Sequence, residues 1–250
     1  MTATIGLDEL NSQSALQDRV DRKYLIKASE VSELLFRLGD TCRVLEIEGF
    51  TWFAYRSTYY DTPDLDCYLR AGTRRRRRFK VRTREYLATD QRFVEVKTRG
   101  PRKTTVKDRL ARDEQTDLIS PDERRWVCDV LAFRGIANPP VAELEATLTT
   151  NYSRRTLQIC PPDEPVSRMT IDLGLTYSTP DDSSENEIAL NGHAIVETKG
   201  GPRPSHADHL LWTMRHRPIG ISKFGVGMAL LNPQLPDLKW HRVIKQELAA

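Results

Sequence analysis

Period-two alternation of apolar and polar residues runs through most of this 250-residue chain, interrupted by a few stretches of helical period. Val20, Arg22, Tyr24 and Ile26 alternate with Asp21, Lys23 and Leu25, which predicts a strand over 20–26. A helix is expected next, with Ser29 as N-cap, Val31, Leu34, Leu35 and Leu38 on one face and Gly39 at its end. Strand patterns follow near 42–48, 52–60, 76–86 and 91–99. Ser120-Pro121-Asp122-Glu123 then combines a capping box with proline at the first helical position. Trp126, Val127, Val130 and Leu131 supply that helix's buried stripe, and Gly135 stops it. Strands resume at about 141–149, 152–160 and 167–173. The stretch 187–199 reads as a hairpin around Asn191-Gly192, a pair suited to a type I′ turn. A last helix is expected over 205–217, halted by Pro218, and 180–187 reads as an exposed acidic loop.

Many strands with a few helices among them predict an α+β fold on an antiparallel sheet, closed into a β-barrel with helices packed outside. The expected division is a flexible segment over 1–17, one domain over 18–235, and a C-terminal tail or helix over 236–250. No repeat and no Gly/Ser linker breaks the chain.

Alternation also sorts the charges. Arg78, Lys80, Arg82, Arg84 and Tyr86 share one strand face, and Phe93, Glu95, Lys97 and Arg99 share the next. Glu143 and Glu145 oppose Ala142, Leu144 and Ala146; Arg168, Thr170 and Asp172 oppose Met169 and Ile171. Ile195, Glu197 and Lys199 oppose Ala194, Val196 and Thr198. A sheet with one wet face explains any one of these strands. Five together suggest a charged lumen, and such a lumen is costly unless an anion fills it. Arg and Lys around a chain of phosphates meet both needs, with the glutamates as pairing partners or as ligands of a bridging divalent cation.

Composition narrows the choice. Net charge is only +3, yet from Arg70 to Arg112 there are 17 Lys/Arg against four Asp/Glu. A near-neutral chain with one basic stretch points to an anionic ligand rather than general adhesion to nucleic acid. The run Arg74 to Arg77 is expected on a turn or rim. Four dispersed cysteines without a C-x-x-C pair fit structural thiols in a reducing compartment. No apolar stretch is long enough for a spanning helix, and the first residues lack the pattern of a signal peptide, so a cytoplasmic location is expected. His206 and His209 read as exposed helix histidines, the four tryptophans as core or surface aromatics, and Gly225 and Gly227 as turn glycines.

Eight short motifs in order carry a resemblance. They are Asp21-Arg22-Lys23-Tyr24, the stretch from Ser57 to Pro63, Lys80-Val81-Arg82-Thr83-Arg84-Glu85-Tyr86 and Phe93-Val94-Glu95-Val96-Lys97, then Tyr152-Ser153-Arg154, Arg168-Met169-Thr170-Ile171-Asp172, Ile195-Val196-Glu197-Thr198-Lys199 and Ser222-Lys223-Phe224. Over roughly residues 18 to 230 the chain resembles the VTC domain, the polyphosphate polymerase domain of the vacuolar transporter chaperone, within the triphosphate tunnel (CYTH-like) superfamily. Its lack of an SPX domain and membrane helices makes it similar to stand-alone bacterial forms.

The resemblance implies a tunnel-shaped antiparallel barrel and a metal-dependent polymerase that transfers the γ-phosphoryl group of ATP to polyphosphate, releasing ADP. It implies catalytic roles for Lys23, Arg82, Arg84, Lys97, Arg154, Arg168 and Lys223, and substrate binding by Arg70. Lys80, Glu95 and Lys199 join the substrate-binding set by alternation. Glu197 matches the acidic residue associated with Mn²⁺ or Mg²⁺. ATP and inorganic polyphosphate or pyrophosphate are the expected partners, with no nucleic acid; a membrane-protein partner is left open.

Two other readings compete. A tripolyphosphatase or nucleoside triphosphatase of the same fold would activate water, with Glu143 and Glu145 as candidates. A non-catalytic polyphosphate- or nucleic-acid-binding module would also explain the arginines, but base stacking calls for aromatics among them, and only Phe79 and Tyr86 lie near.

Overall fold

The computed structural model describes residues 3–13, 20–100, 105–180 and 187–248. In chain order its elements are β1 (Ala3–Ile5), α1 (Leu7–Gln13), β2 (Val20–Lys27), α2 (Val31–Leu38), β3 (Cys42–Leu45), β4 (Phe53–Asp61) and α3 (Asp66–Gly72). There follow β5 (Phe79–Tyr86), β6 (Gln91–Arg99), β7 (Thr105–Arg112), α4 (Pro121–Phe133), β8 (Glu145–Ile159) and β9 (Ser167–Ser178). Then come β10 (Ile188–Ala189), β11 (His193–Gly200), α5 (His206–Thr213) and α6 (Lys223–Leu231), followed by a 3₁₀ turn over Leu238–Trp240 and a short π-helical segment over Val243–Leu248. Most of the expected 180–187 loop lies outside the described residues. No helix among them is long and apolar enough to cross a membrane.

The hydrogen-bonded strand order is β2-β11-β9-β8-β4-β5-β6-β7, with β10 on β9, β3 on β8 and β1 on β3. The pairs of known register are antiparallel except β1–β3. The expected α+β class and antiparallel sheet are present, but the barrel is not closed: β2 and β7 are ends of the path among the described residues. One reason lies at the free edge of β2, where the Lys23 carbonyl accepts from the Ile219 N–H instead of from another strand.

Residues cluster into two compact units, and β8 and β9 contribute to both. Unit 1 comprises Met1–Ala54, Tyr152–Leu175 and Leu190–Ile221. In it α2 and α5 cover the apolar face of the sheet, where Val31, Leu34, Leu38 and Leu211 meet Ile26, Ile171 and Val196. Helix α2 begins one residue later than expected. A short 3₁₀ turn over Ala28–Glu30 precedes it, so Ser29 lies inside that turn rather than capping α2, and the Glu30 carboxylate accepts from the Lys27 N–H.

Unit 2 comprises Tyr55–Asn151, Thr176–Ala189 and Ser222–Ala250. Helix α4 forms as its capping box predicts, with reciprocal Ser120–Glu123 bonds, and an Arg134–Asp108 ion pair ties its end to β7. Phe79, Val81, Val94 and Val96 are buried on the apolar face of β5 and β6. A second core joins Tyr68, Phe224 and the fully buried Trp240.

Three local expectations are corrected. Residues 187–199 do not form a hairpin: the Gly192 turn is present with φ +83°, but β10 pairs with β9, and β11 spends both edges on β2 and β9. Glu143 is not on a strand, because Val141–Glu143 is a 3₁₀ turn after two prolines; it and Glu145 are exposed. Gly225 and Gly227 are helical rather than turn glycines. A Cβ on Gly225 would stand 2.1 Å from the Trp240 ring, and one on Gly227 would stand 2.5 Å from Tyr177.

Candidate functional site

Unit 2 places its charges by strand register. Lys80 faces Lys97, which faces Lys107; Arg82 faces Glu95, which faces Arg109. On β4, Tyr59 and Ser57 stand opposite Arg82 and Arg84. The alternation read from the sequence therefore produces one cationic face over β5, β6 and β7.

Glu95 is its centre and is fully buried. Arg82 donates through Nε and Nη2 to Glu95 Oε2 and through Nη1 to the Tyr59 hydroxyl at 2.9 Å. Arg84 Nε lies 3.9 Å from the same carboxylate, and Lys107 Nζ is 3.2 Å from Glu95 Oε1. Burial alone would raise the Glu95 pKa, but the charges of Arg82, Arg84, Lys107 and Lys97 hold it far below the carboxylate range. Glu95 is thus an ionised anchor that fixes two arginines, and its oxygens are already taken up. Each of those arginines also lies over a tyrosine ring, Arg82 over Tyr59 and Arg84 over Tyr55, both at 5.5 Å.

Helix α6 meets this face at its N-terminus. Ser222 caps the helix by accepting from the Gly225 N–H, and its Oγ also accepts from Lys80 Nζ at 2.8 Å. Phe224 stacks on Tyr59 at 5.3 Å and lies 5.1 Å from Lys80 Nζ. Lys223 thereby opens a helix whose first N–H groups favour anions. Arg70 is placed differently: it sits half-exposed on α3, paired with Asp66 at 3.0 Å. Arg74 to Arg77 are exposed turn residues, as expected, and Arg78 precedes the strand rather than belonging to it.

Unit 1 carries a second charged face. Glu197 stands opposite both Lys23 and Thr170, and Lys199 opposite both Asp21 and Arg168. Lys23 Nζ is 2.8 Å from Glu197 Oε1, and Lys199 Nζ is 3.8 Å from Oε2. Burial would raise Glu197, but Lys199, Lys23 and Arg154 hold it well below the carboxylate range. For Lys23, burial pulls downward, but the charge and hydrogen bond of Glu197 together with the Asp21 charge outweigh it, so its pKa is raised. Arg154 clasps Asp172 with two bonds of 2.6 and 2.8 Å and covers the Tyr152 ring, whereas Arg155 turns to Thr51 and Trp52. Arg168 donates to the Leu10 carbonyl and to Asn11, holding α1.

The opposite side of β2 is structural. Arg22, Tyr24, Thr198 and Ser205 all donate to the buried Asp208 of α5, and those bonds outweigh burial and lower its pKa. Sequence reading missed Asp208, Lys107 and Arg109. The last two lie on β7, whose charges fall on both faces and so hide its period.

No group of three or more His, Cys, Asp or Glu able to hold a metal occurs among the described residues. His206 pairs with Glu164 and His209 stacks edge-on against Trp212. Glu197 offers a single hard, ionised oxygen donor, which suits Mg²⁺ or Mn²⁺ when phosphate oxygens and water complete the shell.

The family profile described as the VTC domain matches residues 18–232. A search of curated protein sequences finds no match. Among solved structures, the chain is similar to a Hippeastrum protein described as a proposed adenylyl cyclase with a dominant triphosphatase activity: 14% identity, TM-score 0.48, 88% of this chain and 99% of that one. It is also similar to a proposed adenylate cyclase from Vibrio parahaemolyticus, at 14% identity and TM-score 0.40 over 80% of this chain and 84% of that one. A conserved hypothetical protein from Pyrococcus furiosus matches at 10% identity and TM-score 0.41 over 79% and 88%.

Proposed function

The chain belongs to the VTC-domain family, and from that premise we propose that it is a polyphosphate polymerase, transferring the γ-phosphoryl group of ATP to the end of an inorganic polyphosphate chain. One observation carries the reading: Arg82 and Arg84 are buried, aimed by tyrosines and by the ionised Glu95, on a face that holds far more cations than carboxylates. Such a face stabilises anionic oxygens before they arrive, so little reorganisation remains at the moment of transfer.

In this reading Arg82 and Arg84 grip phosphate oxygens, while Lys80, Lys97 and Lys223 act as point charges, with the α6 N-terminus beside them. In unit 1, Arg154, Arg168, Lys23 and Lys199 play the same part, and Arg70 captures substrate. The nucleophile is a terminal phosphate oxygen of the chain, ionised at neutral pH, so no protein base is required. It forms a bond to Pγ as the bond from Pγ to the β,γ-bridging oxygen breaks, and the electron pair leaves on ADP. A divalent cation held by Glu197 and phosphate oxygens would supply charge neutralisation.

The test is to incubate purified protein with ATP and Mn²⁺ or Mg²⁺ and to follow ADP, acid-stable polymer and orthophosphate. Polymer with ADP, abolished by a chelator, is expected. Orthophosphate without polymer would replace polymerase by hydrolase, and neither product from folded protein would leave a binding module.

A further inference from the structure

The cationic face of unit 2 does not end at the lysines. Lys80, Lys97 and Lys107 form a row directly across three strands. Two inter-strand gaps of about 4.8 Å make that row about 10 Å long. Like charges directly opposite one another destabilise a sheet, so an anion lying along the row would stabilise it. Two residues further along β6, about 7 Å on, stands Arg99 on the same face.

Beyond it the cations continue. Arg78 Nη1 donates to the Arg74 and Arg75 carbonyls, and Lys239 Nζ to the Ala71 carbonyl, so both gather at the C-terminal end of α3. Capping the helix accounts for those two positions. It does not account for Arg74 or Arg99, whose charges converge with that of Arg78 on Lys239. Burial and those three arginines together hold Lys239 down to about 8. Among the described residues no carboxylate pairs with any of the four.

We infer that Arg99, Arg78, Arg74 and Lys239 continue the lysine row as a track for an inorganic polyphosphate chain, holding phosphates distal to those at Arg82 and Arg84. This rests on the proposed phosphate-binding role of the Arg82–Arg84 face. Polyphosphate fits the track better than nucleic acid, because the neighbouring aromatics offer no face to a base. Phe79 and Trp240 are buried, and Phe93 is covered by Arg109 at 4.9 Å.

The test compares tripolyphosphate with long-chain polyphosphate of about a hundred phosphates, by titration calorimetry over a range of salt. The variant is Arg74→Gln with Arg99→Gln, neither of which caps α3. Wild type should bind the long chain more tightly per molecule than tripolyphosphate. The double variant should keep tripolyphosphate affinity, lose about tenfold for the long chain, and lower the slope of log affinity on log salt by about 2. Unchanged long-chain binding would overturn the track, and so would an equal loss for both ligands. Single-stranded DNA of matched charge, bound as tightly as polyphosphate and losing as much in the variant, would replace it by a general polyanion surface. Wild type binding neither phosphate ligand would sink the phosphate-binding reading itself, whereas wild type binding both alike would sink the track alone.

Discussion

The charged faces of the two units solve the same electrostatic problem with opposite bookkeeping. In unit 1 cations and carboxylates come nearly in pairs, Lys23 with Glu197 and Arg154 with Asp172. In unit 2 the single carboxylate of Glu95 answers Arg82, Arg84, Lys97 and Lys107 together. A face close to neutral keeps its shape without a ligand and reads geometry, whereas a face with surplus cations is strained until an anion arrives.

The largest expected effect is at the centre of the surplus. Glu95→Ala leaves two buried arginines without their anchor and should cost about 4 kcal/mol of stability, measured by urea unfolding at pH 7. Millimolar tripolyphosphate should restore part of it, and no restoration would argue against an anion on this face. The sign of the pH dependence follows. Glu95 titrates lower in the folded state than in the unfolded one, so its contribution is present above about pH 4.5. It is lost as pH falls through the depressed folded value. Wild type and variant should therefore converge only in strong acid.

Next, Arg82→Ala should lower turnover by about 10²- to 10³-fold, while Arg75→Ala leaves saturated turnover intact and weakens capture in a salt-dependent way. Equal losses in steady-state kinetics would erase the distinction between the strand face and the exposed run. Arg154→Ala removes the two-bond partner of buried Asp172 and should destabilise by about 3 kcal/mol. Arg82→Ala should cost less stability than that, since Arg84 and Lys107 remain beside Glu95; the reverse ranking in urea would break the comparison between units. The smallest effect is at Lys239. Its folded pKa of about 8 lies below the unfolded 10.5, so the unfolded chain binds more protons between those values and stability rises with pH there. Lys239→Met should flatten that rise, read as a Tm that no longer climbs between about pH 8 and 10.5.

Much of this was legible because alternation is a local property. The faces carrying Arg82 and Arg84, Glu197 and Lys199, and Arg168 and Asp172 follow from period two alone, and the capping box at Ser120 from four residues. What escaped depends on partners distant in sequence. The pairing of β10 with β9 and the edge of β2 taken by Ile219 are set by tertiary contacts that no window of residues contains. Strand β7 escaped because Lys107, Asp108 and Arg109 put charges on both faces. Asp208 escaped because its role is to accept from residues on β2 and β11, up to 186 positions away.

The two glycines of α6 have a consequence in time rather than in space. Their missing side chains let Trp240 and Tyr177 lie flush against the helix that presents Ser222 and Lys223. A ribosome that has released residue 231 has therefore made Lys223 and the cations of β5, β6 and β7, but not the wedge that seats α6. The face is completed only once residue 240 is out and folded back, so a nascent chain carries most of the face's charges well before it carries their arrangement.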